Sequence, residues 1–357
     1  MRFHVLLVNP PITDFAAHDM WSAPLGLMRI AQALKSAGIE FIVADFLGPG
    51  FGESVLSDGR RRYKKHRLNR PAVLAALKIP RQYSMYGASP EGMDGFLAGI
   101  EEEPGLVVVS TMMTYWYPGV AEAVAAVRRR FPGVPVAAGG IYASLIPSHA
   151  QRVLPGAKIF TNMQIAAFDR FVSGLFGRDF KCFSQPFELW PQPSLSFFEG
   201  RGIIPISMIR GCPFSCGYCA DPLLVPKMET TDPVSLAEWI REEAQRTGFE
   251  RLALMDDAFL ADGAAHAKRF MMALAENGTA FEIHAPNGLH PRWVDRETAG
   301  LMAAASFKTI RLSLETADPK LASISSGKVE TSELATALEN LVSAGYEPGE
   351  IGVYLLA

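Results

Sequence analysis

Apolar residues along this chain fall into short unbroken runs that alternate with stretches of helical spacing. Val5-Leu6-Leu7-Val8 is the first run, the pattern of a buried strand, closed by Asn9-Pro10-Pro11. Over residues 26–37 the apolar positions Leu27, Ile30, Ala31 and Leu34 recur at helical intervals, and Gly38 stands where a helix C-cap belongs. Phe41-Ile42-Val43-Ala44 predicts a second strand. Leu106-Val107-Val108-Val109, a helix over residues 120–130, and Val134-Pro135-Val136-Ala137-Ala138 before Gly139-Gly140 repeat the alternation. Strands alternating with helices predict an α/β unit, Rossmann-like and doubly wound, with a mainly parallel sheet covered on both faces. Such sheets take up ligands beyond the carboxyl ends of their strands.

Residues 48–100 interrupt the pattern and read as an irregular insertion. They hold the basic run Arg60-Arg61-Arg62-Tyr63-Lys64-Lys65-His66-Arg67, either a solvated loop or a site for a phosphorylated group. A linker is expected over 166–200, where prolines and aromatics cluster between 186 and 198. Beyond it the alternation resumes. Strand patterns fall at 203–209, 251–255, 281–284, 309–314 and 351–356, with Asp232-Pro233 opening one helix and Asp295 capping another. Five β/α-type strands predict part of a barrel with its chemistry at the strand carboxyl ends. The expected organisation is therefore a first domain over 1–165, the linker, and a partial barrel over 201–357. The last strand is the final thing in the sequence, so the expectation is the front part of a longer protein.

At 357 residues, two domains agree with what one hydrophobic core can organise. The formal charge of −3 argues against a nucleic-acid or anionic-membrane binder, because those partners need a basic field. No stretch approaches the roughly 20 apolar residues of a membrane span. The amino terminus lacks a small-residue cleavage site, so it reads as a first strand and not a signal peptide. Of four cysteines, three fall within eight residues, which makes a poor disulfide framework and suits a reducing, cytoplasmic setting. Cys182 reads as a small core hydrophobe.

The three close cysteines change the picture most. Arg210-Gly211-Cys212-Pro213-Phe214-Ser215-Cys216-Gly217-Tyr218-Cys219 follows a strand and spaces its thiols C-x3-C-x2-C. Three thiolates can hold three irons of a [4Fe–4S] cluster and leave the fourth exchangeable, whereas structural clusters usually use four cysteines. Structural zinc would need a fourth ligand, Cys182 or a distant His. A C-x2-C redox pair leaves Cys212 unexplained.

With an aromatic residue, Tyr218, before the last cysteine, this motif resembles the signature of the radical S-adenosylmethionine (SAM) superfamily. The resemblance implies that the amino and carboxylate groups of SAM chelate the open iron, and that an electron cleaves the sulfonium to methionine and a 5′-deoxyadenosyl radical. It also implies a reductant such as flavodoxin or ferredoxin. Met255-Asp256-Asp257 stands where the family places a Gly-Gly-Glu-type segment touching the SAM amino group. The residues depart from that pattern, so Asp256 and Asp257 carry over by position only; a helix cap and a surface charge are the alternative. After the third strand, His284-Ala285-Pro286-Asn287-Gly288-Leu289-His290 makes Asn287 a candidate contact, with both histidines structural. Arg311, Ser313 and Glu315 share one face of the fourth strand. The family strand contacts the SAM ribose and methionine groups, so Ser313 and Glu315 are candidates, an internal Arg311–Glu315 ion pair being the alternative.

In the first domain, Ser110-Thr111-Met112 and Gly139-Gly140 resemble two turns of the cobalamin-binding Rossmann-like fold. The resemblance implies that Ser110, Thr111, Met112, Thr114, Gly139, Gly140, Ile141 and Tyr142 line a corrinoid pocket. The family's Asp-x-His-x-x-Gly loop is absent; Asp14 and His18 lie in its region at another spacing. The expected function is a radical SAM enzyme with cobalamin, a C-methyltransferase acting on an unactivated carbon of a small molecule or peptide. Two alternatives stand beside it: cyclisation, rearrangement or oxidation without methyl transfer, and a non-enzymatic corrinoid- or metal-binding module.

Overall fold

A computed structural model describes residues 4–17, 23–56, 60–77, 79–276, 281–318, 320–321 and 329–356. It divides into two compact units, Met1–Gly202 and Ile203–Ala357.

In the first unit, Val5–Asn9 (β1), Phe41–Asp45 (β2), Leu106–Thr111 (β3), Val136–Gly140 (β4) and Ala157–Phe160 (β5) form one parallel sheet. The spatial order is β5-β4-β3-β1-β2, so the winding reverses between β1 and β3. That gap is the topological switch point, where a doubly wound sheet opens a crevice. All five residues of β1 are buried, as befits a strand with both faces covered. One face packs its Leu6, Val8, Val107 and Val109 with Val120, Val124 and Val127 of the helix Tyr117–Arg130 and Met93 and Leu97 of the helix Pro90–Ala98.

β3 and β4 each run two residues past their apolar cores, with Ser110 opposite Gly139 and Thr111 opposite Gly140. The Ser-Thr and Gly-Gly pairs are therefore strand ends and not the turns that follow. Gly140 could be nothing larger. Its φ is +121°, and a β-carbon there would stand 2.1 Å from the Thr111 carbonyl oxygen.

The insertion is more regular than its sequence suggests. Ser84–Tyr86 pairs antiparallel with Ile12–Asp14 on one side and Lys65–Arg67 on the other, and Gly52–Val55 pairs with Arg61–Tyr63. The basic run thus lies mostly in two short strands: Arg61 and Tyr63 turn inward while Arg62, Lys64, Lys65 and Arg67 face out. Outward charges on short strands are a common guard against edge pairing.

Residues 166–200 are not a linker; they pack on the first unit. The helix Ala166–Phe176 ends at Gly177 in the left-handed region. One Asp169 oxygen then accepts the N–H groups of Cys182, Phe183 and Ser184, each at 2.8 Å. Phe168 packs edge-on against Phe160 and Phe180, and Trp190 against Phe183 and Phe187. Arg29, on the helix Leu25–Ser36, lies over the Phe187 and Trp190 rings at 5.2 and 5.6 Å. The aromatics that look like punctuation in the sequence are a second small core.

In the second unit, Ile204–Ile206 (β6), Arg251–Leu254 (β7), Glu282–His284 (β8), Phe307–Glu315 (β9) and Ile351–Leu355 (β10) pair in parallel, in chain order. This is successive β/α winding, a partial barrel. The helix Pro233–Thr247 starts on Asp232, whose carboxylate accepts the Ser235 N–H at 2.8 Å, and Asp295 caps Arg296–Ala304 through the Thr298 N–H at 2.7 Å. Among the described residues no helix is long and apolar enough to cross a membrane.

Candidate active site

The carboxyl ends of β6 to β9 gather the second unit's polar residues. β6 leaves the sheet at Ser207, and its backbone then runs through Ile209–Arg210, a two-residue strand paired antiparallel with Glu229–Thr230. The cysteine loop follows. Cys216 is buried, Cys212 half-buried and Cys219 exposed. A turn ties two of them together, the Cys219 N–H donating to the Cys216 carbonyl at 2.9 Å. The Asp221 N–H points at Cys219 Sγ, 3.5 Å away, the polarity that favours a thiolate. Phe214, mid-loop, stacks on His290 with ring centres 4.9 Å apart and leans on Trp293. An apolar plug thus seats the loop against the segment after β8.

Asp256 and Asp257 follow β7. Asp256 is 2% exposed and its Oδ1 accepts the N–H groups of Met208, at 2.7 Å, and Ile209. Asp257 Oδ2 accepts the Gly211 N–H at 2.8 Å. Both carboxylates therefore hold the backbone that leads into the cysteine loop. Gly211 itself has φ +76°, and a β-carbon would press on Val225 Cγ1 at 2.9 Å. Asn287, after β8, donates to the Met255 and Asp256 carbonyls at 3.2 and 3.1 Å. His284 is buried and bonded through Nδ1 to Thr309 Oγ1 at 2.8 Å, a structural role.

At the end of β9, Ser313 is buried while Glu315 stays half-exposed with φ +70°, a conformation that costs a non-glycine residue about 1–3 kcal/mol. The strain sits where β9 shifts register against β10, between Ser313 and Glu315. The Glu315 carboxylate and the Cys216 sulfur both act electrostatically on the Tyr218 hydroxyl. Loss of solvent around that hydroxyl, then the Glu315 charge and Cys216, raise the phenol far above its ordinary value, so it stays a neutral donor. Asp221 is pushed up to about 6, first by burial and then by the neighbouring Asp257 carboxylate. Arg311, on the same strand face, donates to the Ile310 carbonyl at 2.7 Å and lies along Gly352.

In the first unit, the switch point carries Asn9 at the end of β1. Asn9 is 2% exposed; its Nδ2 donates to Asp45 Oδ1 at 2.7 Å, and Ser110 Oγ donates to its Oδ1 at 3.3 Å. Near the switch point Ser110, Met112, Thr114, Gly139, Gly140 and Ile141 remain partly accessible. Thr111 and Tyr142 turn inward instead. Thr111 Oγ1 donates to the Gly139 carbonyl and accepts the Ala143 N–H, stitching β3 to β4. Tyr142 is wholly buried, with its hydroxyl 2.7 Å from His149 Nδ1. Asp14 is held by Trp116, whose Nε1 donates to Oδ2 at 2.9 Å, and His18 lies outside the described residues.

Residues 206–356 match the family model described as the radical SAM superfamily. The carboxy-terminal unit is a radical SAM domain. A domain of this superfamily marks the chain as part of an enzyme. No match was found among curated proteins. Among solved structures, the chain is similar to the radical SAM methyltransferase TsrM from Kitasatospora setae with tryptophan and a SAM analogue bound. That likeness has a TM-score of 0.67 at 16% identity, over 99% of this chain and 67% of that one. TsrM with cobalamin and a [4Fe–4S] cluster bound gives the same score at 66% of its length. The cobalamin-dependent SAM radical enzyme OxsB, with aqua-cobalamin and SAM bound, aligns with a TM-score of 0.64 at 11% identity over 48% of its chain. The chain thus spans about two thirds of one neighbour and about half of the other, and the likeness establishes the fold.

Cys212, Cys216 and Cys219 on one loop supply the kind of donor set a [4Fe–4S] cluster takes, in which each thiolate ligates a different iron. Cys182, the other thiol, belongs to the first unit and is sealed in its core, where burial drives its pKa well up. Three residues of the carboxy-terminal site had no assigned role in the sequence: Asp221, Phe214 and Tyr354, whose hydroxyl donates to the Pro286 carbonyl at 2.8 Å. Asn9 had a visible signal, a polar residue closing a fully apolar run.

Proposed function

We propose that this chain uses a [4Fe–4S] cluster and SAM to start radical chemistry, with cobalamin held by the first unit, and that it transfers a methyl group to an unactivated carbon of a small molecule or peptide. The carrying observation is the single loop with three cysteines, at the carboxyl end of the first barrel strand, beside the polar ends of β7 to β9. Held by these residues, a [4Fe–4S] cluster kept reduced by a flavodoxin or ferredoxin would supply the electron for cleavage of SAM to methionine and a 5′-deoxyadenosyl radical, and cobalamin would supply the methyl group.

The chain's own residues bind and orient. Cys212, Cys216 and Cys219 hold the three closed irons. Tyr218, Ser313 and Glu315 present a neutral donor and acceptors to the SAM polar groups, and the strained Glu315 is set for that contact by the β9 irregularity. Asp256, Asp257 and Asn287 stand at the same mouth and shape the cluster loop. In the first unit, Ser110, Met112, Thr114, Gly139, Gly140 and Ile141 offer small or flexible surface at the switch point to a bulky corrinoid. Thr111 and Tyr142 support that surface from behind. The doubly wound order and the polar Asn9–Ser110 pair at the switch point support this placement.

Anaerobic reconstitution with iron, sulfide and cobalamin, followed by incubation with methyl-labelled SAM, tests the reading. It predicts bound cobalt, 5′-deoxyadenosine release and loss of both iron and release in Cys216→Ala. Label in the product supports methyl transfer. Cobalt uptake with 5′-deoxyadenosine but no transferred label would favour cyclisation, rearrangement or oxidation, and iron uptake without cobalt would remove the cobalamin half.

A further inference from the structure

The backbone entering the cysteine loop has a difficulty that its own strand cannot solve. The parallel pairing of β6 with β7 ends at Ile206, and although Ile209 lies opposite Thr230, the N–H groups of Met208, Ile209 and Gly211 turn to side-chain acceptors, with Met208 and Ile209 almost fully buried. Buried amide donors require acceptors. The structure supplies them from one dipeptide: Asp256 takes Met208 and Ile209, and Asp257 takes Gly211. On the other side the Thr231 N–H donates to the Met208 carbonyl at 2.9 Å. The dipeptide is itself fixed at both ends, by the Met255 N–H on the Ile206 carbonyl at 2.7 Å and by Asn287 on the Met255 and Asp256 carbonyls.

We infer that Asp256 and Asp257 are positioning residues that latch the cysteine loop to β7 and so set the spacing of its three thiols for the cluster. The inference rests on the proposed cluster function and deepens it. The three bonds fall within five residues of Cys212, on the only covalent lead from β6 into the ligand loop, and each is charge-assisted, which shortens and strengthens it. Cys212 follows Gly211 directly, so the Asp257 bond holds the peptide next to the first ligand. Asn287 passes the same constraint on to the segment after β8, where His290 and Trp293 grip Phe214 in the middle of the loop. Two grips, one polar before Cys212 and one apolar after it, leave the loop little freedom to spread.

Full-length Asp256→Asn and Asp257→Asn test this, with Asp295→Ala as the control. Asp295 also accepts a backbone N–H, at a helix cap remote in sequence from the loop, so its loss weakens the fold without touching the latch. The readouts are iron and sulfide per chain after reconstitution, circular dichroism for the fold, and the paramagnetic resonance spectrum of the reduced cluster. The latch predicts a native-like dichroism spectrum, at least a threefold fall in iron for Asp256→Asn, and altered resonance line positions in whatever cluster Asp257→Asn retains. Asp295→Ala should load and look like wild type. Wild-type loading with an unchanged spectrum in both Asn variants overturns the inference, as does an equal fall in Asp295→Ala. If Asp256→Asn does not fold, the line positions of Asp257→Asn decide alone. A wild-type chain that takes up no iron strikes the functional reading itself, an outcome distinct from any difference among variants.

Discussion

At the level of single residues, the four cysteines separate into two kinds. Cys182 is walled in and its thiol is pushed up by burial, while Cys219 stands in solvent with an N–H aimed at its sulfur. Reactivity follows thiolate character and access. In metal-free native protein, brief treatment with iodoacetamide should therefore label Cys219 first and Cys182 only after denaturation, read by peptide mass spectrometry; early label at Cys182 contradicts the packing. Spacing alone exposed the cysteine motif, because ligand chemistry is written in residue type and interval. The partners of Asp256 and Asp257 were not visible in that way. Their acceptors reach amides 46 to 48 residues earlier, a contact that exists only once β7 lies beside β6. Tyr142 misled in the opposite sense: it sits in motif position, yet its ring fills the core and its hydroxyl meets His149.

At the level of elements, the parallel strands were readable because strands covered on both faces are built on unbroken apolar runs, here Val5 to Val8 in β1 and Leu106 to Val109 in β3. The insertion was not. Its strands are three or four residues long and two of them carry arginine or lysine on their outer positions, so neither length nor alternation separates them from a loop. The segment 166–200 failed for another reason: prolines and aromatics look like a spacer until Asp169 gathers three amides and the rings stack. The ends of β3 and β4 were placed two residues short, since Gly139-Gly140 reads as a turn and here completes a strand. That geometry yields a sharp expectation. Gly140→Ala should destabilise the first unit by on the order of 3 kcal/mol, from backbone strain and the collision with the Thr111 carbonyl. Urea unfolding followed by tryptophan fluorescence measures it, and a cost below about 0.5 kcal/mol would contradict the close approach.

At the level of the whole molecule, each unit brings one kind of chemistry to the carboxyl ends of its strands. The doubly wound unit has its switch point between β1 and β3, and the radical SAM domain has a three-cysteine loop braced by β7 and β8. The two-unit organisation was apparent from the change of rhythm along the chain, though the boundary falls at Gly202 because the intervening segment folds onto the first unit. Neighbours named for SAM and cobalamin share the fold across nearly all of this chain. The central claim is that three cysteines leave one iron open to SAM. Paramagnetic resonance of the reconstituted, reduced protein, recorded with and without SAM, addresses it most directly. The account predicts a [4Fe–4S] signal whose line positions shift when SAM is added and which is absent in Cys216→Ala. A cluster signal indifferent to saturating SAM would contradict it.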